Sequence, residues 1–460
     1  MTDEPGPAER ARYLASPCLA PPGPTPPRLA PPRPATPLPA PPASPRKART
    51  RMDTVDDPRG SRPEPVRLDP FGRDQHGENA RLRAAGPAVL VELPGGVVVW
   101  AVTHHDTLQS LLADPRVGKN PALWTTFREG RLPYGWPLLN FVAVPGMITA
   151  DGEDHKRLRG LVSQAFTPRR ISALAPAIEA RALALLDAVA ELEGPFDLRE
   201  HFAYPLPMQV IGELLGLGEE QQDRLHALSD TLVSSSATPE AALAAQRELN
   251  ALLASVVAAK RAEPGDDLTT DLIAAREAGD ALSEAELVGT LLLMLVAGHE
   301  TTLNLITNAV RALLAHPDQL RLVLDGAQPW SAVVEETLRY DSPVGQFPLR
   351  YAIEDIEVGD TVIRRGEALL ASYAAAGRDD GHYPDADRFD LTRQPARHLS
   401  LGHGPHFCLG SGLARLEAET ALRHLFGRFP GLALAEGERP EPIGSFVSNS
   451  VRTLRVTVRG

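Results

Sequence analysis

The strongest constraint on the fold is one long apolar segment over residues 283–317. Ser283 followed by Glu286 is the pattern of a capping box and predicts that a helix begins there. If the helix runs to about Pro317, its length at about 1.5 Å per residue is roughly 48 Å. Such a rod is long enough to cross the whole protein, so the remaining elements must pack around it.

The middle of this segment, "LVAGHETTLNL", carries residues suited to chemistry. Ala297 and Gly298 leave one helix face nearly bare, and Thr301 projects from the same face, so a flat cofactor could lie there. Glu300 and Thr301 supply a carboxylate and a hydroxyl, the pair needed to pass protons from water into an apolar pocket. A buried helix with a tolerated glycine and a solvated glutamate explains the same residues if the motif stands alone.

The loop "GHGPHFCLG", residues 402–410, places Cys408 just before a predicted helix. Glycines let the backbone fold closely around the sulfur, and a helix N-terminus favours an ionised cysteine, which is a strong metal ligand. A buried hydrophobic cysteine in a turn is the plain alternative. A zinc site formed by His403, His406 and Cys408 is a second alternative, but it lacks a fourth ligand.

Two further helical segments carry charged residues at helical spacing. In "EETLR", Glu336 and Arg339 lie three residues apart on a helix that starts near Pro329, and by itself this pair is weak support for a function. In "DGEDHKRLRGLVSQAF", His155 and Arg159 lie on one helix face, a geometry suited to holding a carboxylate or another anion. A solvated basic face explains the second motif equally well.

The order of patterns along the chain predicts a mainly α protein with small β-sheets. Sixteen of the 44 prolines lie in residues 1–50, so residues 1–58 form a disordered Pro/Ala/Arg-rich tail, and Met52 is an alternative start to Met1. Residues 59–460 form a single domain. "AVLVELPGGVVVWAVT" predicts two strands joined by a tight turn. Helices are predicted within residues 155–192, 207–261 and 283–315, and further strands within residues 352–374.

Charge and composition exclude some classes of function. The net charge of −12 argues against nucleic-acid binding, which needs a surplus of lysine and arginine. The longest apolar run is shorter than a membrane span, and the N-terminus lacks a secretory signal, so we expect a cytoplasmic protein with no membrane contact. Cys18 and Cys408 are too far apart in sequence and context to suggest a disulfide.

These motifs, in this order and spacing, resemble the cytochrome P450 superfamily of haem-thiolate monooxygenases over residues 67–460. The segments "LPGGVVVWAVTHHD", "EGRLPYGWPL", "FAYPLPMQVIGELLG" and "WSAVVEETLRY" are similar to soluble actinobacterial members that oxidise steroids and polyketides. The resemblance implies the P450 fold, an α-helical prism with a long central helix and a β-rich side region. It also implies haem b as the cofactor and O2 as the co-substrate.

The resemblance assigns roles to individual residues. Cys408 matches the axial ligand of the haem iron, and Ala297 matches a position that contacts the cofactor. The acid and alcohol of oxygen activation are matched by Glu300 and Thr301. The residues that clamp the haem propionates are matched by His155, Arg159, Arg350 and His406. The structural network below the haem is matched by Glu336, Arg339 and Arg388.

One position departs from the family pattern. The family usually has a phenylalanine seven residues before the cysteine, and this chain has Leu401. An aliphatic side chain still covers the sulfur but changes its packing and hydrogen bonding, which influence the iron potential. We expect haem binding to survive and the redox potential to change.

The function implied is insertion of one oxygen atom from O2 into a C–H bond of a bulky hydrophobic small molecule, such as a steroid, a macrolide or other polyketide, or a terpenoid. Electrons would come from NAD(P)H through a ferredoxin reductase and a ferredoxin, and Arg157, Arg415 and Arg423 are candidate docking residues. We expect a monomer. A peroxide-driven peroxygenase and a noncatalytic haem sensor or ligand-binding protein are the alternatives. The predicted substrate pocket consists of Trp124, Phe127, Tyr134, Trp136, Val296, Phe347 and Phe446.

Overall fold

The computed structural model describes residues 62–133, 136, 138–233, 238–277, 282–394 and 397–458. The chain from Pro65 to Gly460 forms one compact unit. The prediction of a disordered tail over residues 1–58, and the choice of Met1 or Met52 as the start, lie outside the described residues.

Helices dominate the described part of the chain. Their bounds are α1 Gln75–Ala85, α2 His105–Ala113, α3 Thr125–Arg128, α4 Leu139–Val142, α5 Gly152–Ser163, α6 Pro168–Ala190, α7 Pro205–Leu215, α8 Glu219–Val233, α9 Pro239–Ala262, α10 Leu268–Glu277, α11 Glu284–Ala315, α12 Pro317–Leu324, α13 Trp330–Tyr340, α14 Tyr373–Gly377 and α15 Ser411–Arg428. The strands are β1 Val66–Arg67, β2 Ala88–Leu93, β3 Val97–Val102, β4 Val117–Gly118, β5 Phe196–Asp197, β6 Phe347–Ala352, β7 Ile356–Val358, β8 Thr361–Ile363, β9 Ala368–Ala371, β10 Leu432–Leu434 and β11 Arg455–Val458. The predicted mainly α class is confirmed.

Two of the predicted helical stretches are divided by local signals. The stretch 155–192 contains α5 and α6, because Thr167 caps the N-terminus of α6 with Pro168 as its first residue. The stretch 207–261 contains α7, α8 and α9. Helix α7 ends at Gly216 in the left-handed conformation, and Thr238 caps α9 in front of Pro239. Apolar periodicity alone did not reveal these breaks.

The main sheet has the strand order β1-β2-β3-β9-β6-β4. Strands β2 and β3 pair antiparallel across the predicted tight turn, whereas β3 and β9 run parallel. Alternate residues of β2 pack in different clusters, with Val91 on one face and Leu90 on the other. Both faces of the sheet are therefore buried.

The long helix α11 is the central element, as predicted. The Ser283 and Glu286 capping box is present, and the helix packs against α7, α9, α13 and α15. Among the described residues it is the one helix whose length and hydropathy would suit a membrane span. However, 72% of its most apolar window is buried inside the protein, as in the core helix of a soluble protein. The C-terminal half of α11 packs with α6, α13 and α15, and its N-terminal half packs with α7, α9 and α10.

Candidate active site

A cavity separates the middle of α11 from the cysteine loop. Ala297, Gly298 and Thr301 line it on one side, and Cys408 lines it together with the start of α15. A Cβ atom on Gly298 would lie 2.9 Å from Cδ1 of Ile211, so this glycine lets α7 pack closely against α11. Ala297 leaves the cavity side of the helix bare, as the sequence predicted.

The loop around Cys408 is fixed by its own backbone. The Cys408 N–H donates to the carbonyl of Leu401 at 2.8 Å, and Gly402 and Gly404 adopt left-handed conformations with φ of 74° and 72°. A Cβ atom on Gly404 would lie 2.7 Å from the carbonyl oxygen of Leu112, which explains the glycine at that position. The sulfur is therefore held just before the N-terminus of α15, at the edge of the cavity.

The protonation of Cys408 reflects competing effects. Burial raises the pKa of the Cys408 thiol. A hydrogen bond from the Gly410 amide and the positive charges of Arg159 and Arg415 lower this pKa, but they offset the effect of burial only in part. The helix N-terminus by itself therefore does not ionise this cysteine, contrary to the simplest expectation from sequence. A metal ion bound to the sulfur would supply the missing positive charge, because a coordinating thiol is deprotonated outright.

One end of the cavity is crowded with basic side chains. His155, Arg350 and Lys119 are buried there, and the rings of His155 and His406 are 4.1 Å apart. Burial and the charge of Arg350 hold the pKa of Lys119 well below its usual range. Burial also lowers the pKa of His406 to about 4, and burial with the charge of Arg159 lowers that of His155. Bound carboxylates would relieve this crowding of positive groups.

Lys119 is a cavity residue that sequence reasoning missed. Its ammonium donates to the carbonyl of Leu349 at 2.9 Å and lies 4.9 Å from the ring centre of Phe347. Its backbone N–H donates to Asp151, whose carboxylate also lies 3.9 Å from Nε2 of His406. The surrounding "RVGKNPALW" carries no helical or strand periodicity, so only the pairing of β4 with β6 brings Lys119 to the site.

Arg159 lines the cavity but also acts on the cysteine loop. Its Nη2 donates to the carbonyl of Phe407 at 2.7 Å, and its charge lies close enough to Cys408 to oppose the rise in the thiol pKa. His155, four residues earlier on α5, has a buried Nε2 with no hydrogen-bond partner among the described residues. The predicted spacing therefore directs both side chains to the cavity, where His155 still has an unused ring nitrogen.

The predicted acid and alcohol occupy different environments. Thr301 lines the cavity, and its hydroxyl donates to the carbonyl of Ala297 at 2.7 Å. Glu300 is 6% exposed and is not among the described cavity-lining residues. It accepts a hydrogen bond of 3.1 Å from Asn304, whose side-chain oxygen accepts one of 3.0 Å from Arg199. Sequence reasoning missed Asn304 and Arg199, although the i,i+4 spacing of Glu300 and Asn304 on α11 was a usable signal for the former.

The structural network is formed mainly by two of its three predicted members. Arg339 and Glu336 make a buried bidentate pair with contacts of 2.7 and 2.8 Å. The Arg388 assignment needs correction, because its side chain is exposed and it contributes its carbonyl oxygen, 2.8 Å from Nη2 of Arg339. The guanidinium that approaches Glu336 from this segment belongs to Arg393, at 3.5 Å.

Most of the predicted aromatic pocket belongs to the protein core. Trp124, Trp136 and Phe446 are buried, and with Phe127 they pack on one face of the main sheet. Val296 packs with the α7–α10 cluster, and Tyr134 lies outside the described residues. Of the predicted set, Phe347 lines the cavity. The apolar cavity wall instead includes Met147, Ile148, Ile211, Leu293, Met294 and Val344.

Comparison with known proteins identifies the family. A sequence model described as cytochrome P450 matches residues 330–453. The 2-hydroxy-5-methyl-1-naphthoate 7-hydroxylase of Streptomyces carzinostaticus is 42% identical over 405 residues, which are 86% of this chain and 98% of that protein. The chain belongs to the cytochrome P450 family. The vitamin D(3) 25-hydroxylase of Pseudonocardia autotrophica is 42% identical over 368 residues, 80% of this chain and 89% of that protein. The solved structure of CYP154A1 from Streptomyces coelicolor A3(2) is similar with a TM-score of 0.82 and 47% identity, covering 86% of this chain and all of that one.

This cytochrome P450 is a monooxygenase with haem b as its cofactor, O2 as co-substrate and electrons derived from NAD(P)H. The residues that line the cavity fit haem. The Cys408 thiol faces Ala297 and Gly298 of α11 across the cavity, and the basic side chains gather at one end of it. Nε2 of His155, which has no hydrogen-bond partner in the described part of the chain, and the crowded ammonium of Lys119 suit the two propionates of that cofactor. When bound, haem supplies the redox chemistry, and the protein supplies orientation and exclusion of water.

Proposed function

We propose that this cytochrome P450 inserts one oxygen atom from O2 into a C–H bond of a bulky apolar molecule. In this proposal Cys408 is the iron ligand, and the propionates contact His155, Arg350, His406 and Lys119. The observation that carries it is that Cys408 and Thr301 line one cavity whose basic groups gather at one end. A thiolate ligand favours O–O cleavage, which a monooxygenase requires.

The substrate we propose is a steroid, a macrolide or other polyketide, or a terpenoid-like molecule. The apolar part of the cavity wall consists of flexible and branched side chains, Met147, Met294 and Ile211 among them, with Phe347 at the basic end. Such a wall binds by apolar contact and offers few groups for polar recognition. The relatives described above hydroxylate a naphthoate and vitamin D3, respectively, which are mostly apolar molecules.

Proton delivery is proposed to depend on Thr301 at the cavity and on Glu300 behind it. The Thr301 hydroxyl lines the cavity, and while it donates its hydrogen to the carbonyl of Ala297, its oxygen can accept a hydrogen bond from the cavity. Glu300 is held by Asn304 and, through it, by Arg199, so its carboxylate is part of a buried polar chain beside the cavity. In this arrangement Thr301 positions the proton and Glu300 supplies it.

We propose that a ferredoxin delivers the electrons at a hollow on the cysteine loop. Phe407, which is 39% exposed, lines it with His403 and Arg415. The three arginines predicted for docking all have acidic neighbours: Arg157 pairs with Glu286, Arg415 with Glu335 and Arg423 with Glu179. Their charge is therefore partly offset, and apolar contact with Phe407 should add to any attraction. A cytoplasmic, monomeric enzyme completes the proposal.

The proposal is tested first by spectroscopy and then by turnover. Sulfur ligation predicts a red-shifted Soret band in the reduced carbonyl complex, and candidate substrates should shift the ferric spectrum. Product should then form with NAD(P)H, a ferredoxin and its reductase. Product with hydrogen peroxide but none with the redox chain would indicate a peroxygenase. Ligand-induced shifts without any product would indicate a haem sensor.

The docking of the ferredoxin is tested by charge reversal. Arg415→Glu should slow reduction of the haem iron by the ferredoxin and alter the salt dependence of that rate if the ferredoxin docks at this hollow.

A further inference from the structure

Two histidines and one aspartate meet where helix α2 begins. His105 and Asp106 are the first two residues of α2, and His382 lies in the turn that follows α14. None of the three is among the described residues that line the haem cavity. The cluster is therefore separate from the cavity used in the function proposed above.

The donor atoms of the cluster point at one another. Oδ1 of Asp106 lies 2.9 Å from Nδ1 of His105 and 2.9 Å from Nδ1 of His382. The two imidazole rings stack with centroids 3.4 Å apart and planes inclined by 18°. One ligand atom from each residue thus falls within 4.8 Å of the other two.

The hydrogen bond made by Nε2 of His105 determines whether Nδ1 of the neutral ring carries a hydrogen or a lone pair. Nε2 of His105 lies 2.9 Å from the carbonyl oxygen of Arg397, which can only accept, so Nε2 carries a hydrogen. In the neutral ring Nδ1 then presents a lone pair to the carboxylate of Asp106. Two acceptors face each other at 2.9 Å, and a cation between them would make the contact favourable. Metal-ligating histidines are oriented in the same way, with the other ring nitrogen donating to a carbonyl.

The environment keeps His105 fixed and leaves the other two ligands able to adjust. His105 is 1% exposed, its backbone N–H donates to Asp379 at 2.8 Å, and the ring of Tyr383 packs edge-on against it. The side chain of Asp106 is 80% exposed and that of His382 is 27% exposed. A tetrahedral zinc ion with bonds of about 2.0–2.1 Å needs its ligands about 3.4 Å apart. The carboxylate of Asp106 and the ring of His382 can open by that small amount toward solvent.

We propose that His105, Asp106 and His382 bind one zinc ion, with water as the fourth ligand. Two imidazole nitrogens and one carboxylate oxygen are ligands that zinc accepts, whereas magnesium prefers oxygen ligands alone. The ion joins the first turn of α2 to the turn around residues 379–383. Its role is structural, because it links two segments of the fold and none of its three ligands is among the described residues that line the haem cavity.

The test uses the haem-loaded, tag-free protein and calorimetric titration with zinc chloride. We expect one zinc ion per chain, no comparable binding of magnesium, and a higher Tm with saturating zinc. His382→Gln and Asp106→Asn should each weaken zinc binding by about 10-fold or more, since even loss of an outer partner costs about 10–100-fold. Both residues are partly exposed, so these variants keep the fold.

A matched variant is His424→Gln, because His424 also pairs with a carboxylate, Glu179 at 2.8 Å, but lies outside any cluster of this kind within the described residues. It should bind zinc as the wild type does. Equal zinc affinity in the wild type and His382→Gln overturns the proposal, as does an absence of zinc binding by the wild type. None of these outcomes depends on monooxygenase activity.

Discussion

Asp341 provides a sharp test of how the helices are joined. Its carboxylate is 3% exposed and contacts Arg311 on α11, His76 on α1 at 3.1 Å and Asn449 at 2.8 Å. Burial alone would raise the pKa of Asp341, but Arg311, His76 and Asn449 hold it well below its usual range. Asp341→Asn removes the negative charge while keeping the size of the side chain, so the loss of charge is the perturbation tested.

The magnitude follows from the burial of Asp341 and the partial exposure of its partners. Removing one partner from a fully buried ion pair costs about 3–5 kcal/mol, but Arg311 is 32% exposed, so water can solvate its charge in the variant. The loss should therefore be about 1.5–3 kcal/mol, as for a hydrogen bond to a charged group. The entropy of unfolding is about 2.1 cal/mol/K per residue, or about 0.8 kcal/mol/K for a unit of about 400 residues, so Asp341→Asn should lower the Tm by about 2–4 °C in calorimetry or circular dichroism.

The control is Asp387→Asn, which breaks an ion pair with Arg378 whose carboxylate is 67% exposed. Surface pairs contribute about 0–1 kcal/mol, so this variant should change the Tm by about 1 °C or less. Because the pKa of folded Asp341 is depressed, its stabilisation is complete above the unfolded pKa of about 3.9 and declines as the pH falls toward the folded value. Equal losses of Tm in the two variants at neutral pH would show that the buried network is not what stabilises this junction.

Three further predictions concern the haem cavity. Lys119→Met should speed haem loss to an acceptor protein by about 10-fold or more, since a hydrogen bond to a charged group contributes about 1.5–3 kcal/mol. The control is Lys156→Met, because Lys156 is exposed. Equal rates of haem loss in the two variants would exclude a role for Lys119. Thr301→Ala should lower the product formed per NAD(P)H consumed, whereas Thr301→Ser should retain it; unchanged coupling in Thr301→Ala would remove the hydroxyl from proton delivery. Leu401→Phe should shift the haem reduction potential in a spectroelectrochemical titration without loss of haem, and an unchanged potential would show that this position does not influence the iron.

Local patterns were enough for much of the architecture. The capping box of Ser283 and Glu286 located the start of α11, and the glycine turn between β2 and β3 located the hairpin. These predictions succeed because their causes, capping hydrogen bonds and turn geometry, act within a few residues. The breaks between α5 and α6 and between α7, α8 and α9 also had local signals, Thr167 and Gly216 among them, but the apolar spacing runs through them.

The sequence by itself determined the long helix, the cysteine loop and the placement of His155 and Arg159 on one face of α5. Tertiary structure decided which side chains surround the cavity. Lys119 directly follows a two-residue strand that pairs with β6, whereas Trp124 and Trp136 pack in the core on one face of the sheet. Apolar residues follow the same pattern whether they line a cavity or fill a core, because both places exclude water. Only the packing of distant segments separates the two, and that packing also brings Arg199 to Asn304, the residue that holds Glu300 behind the cavity.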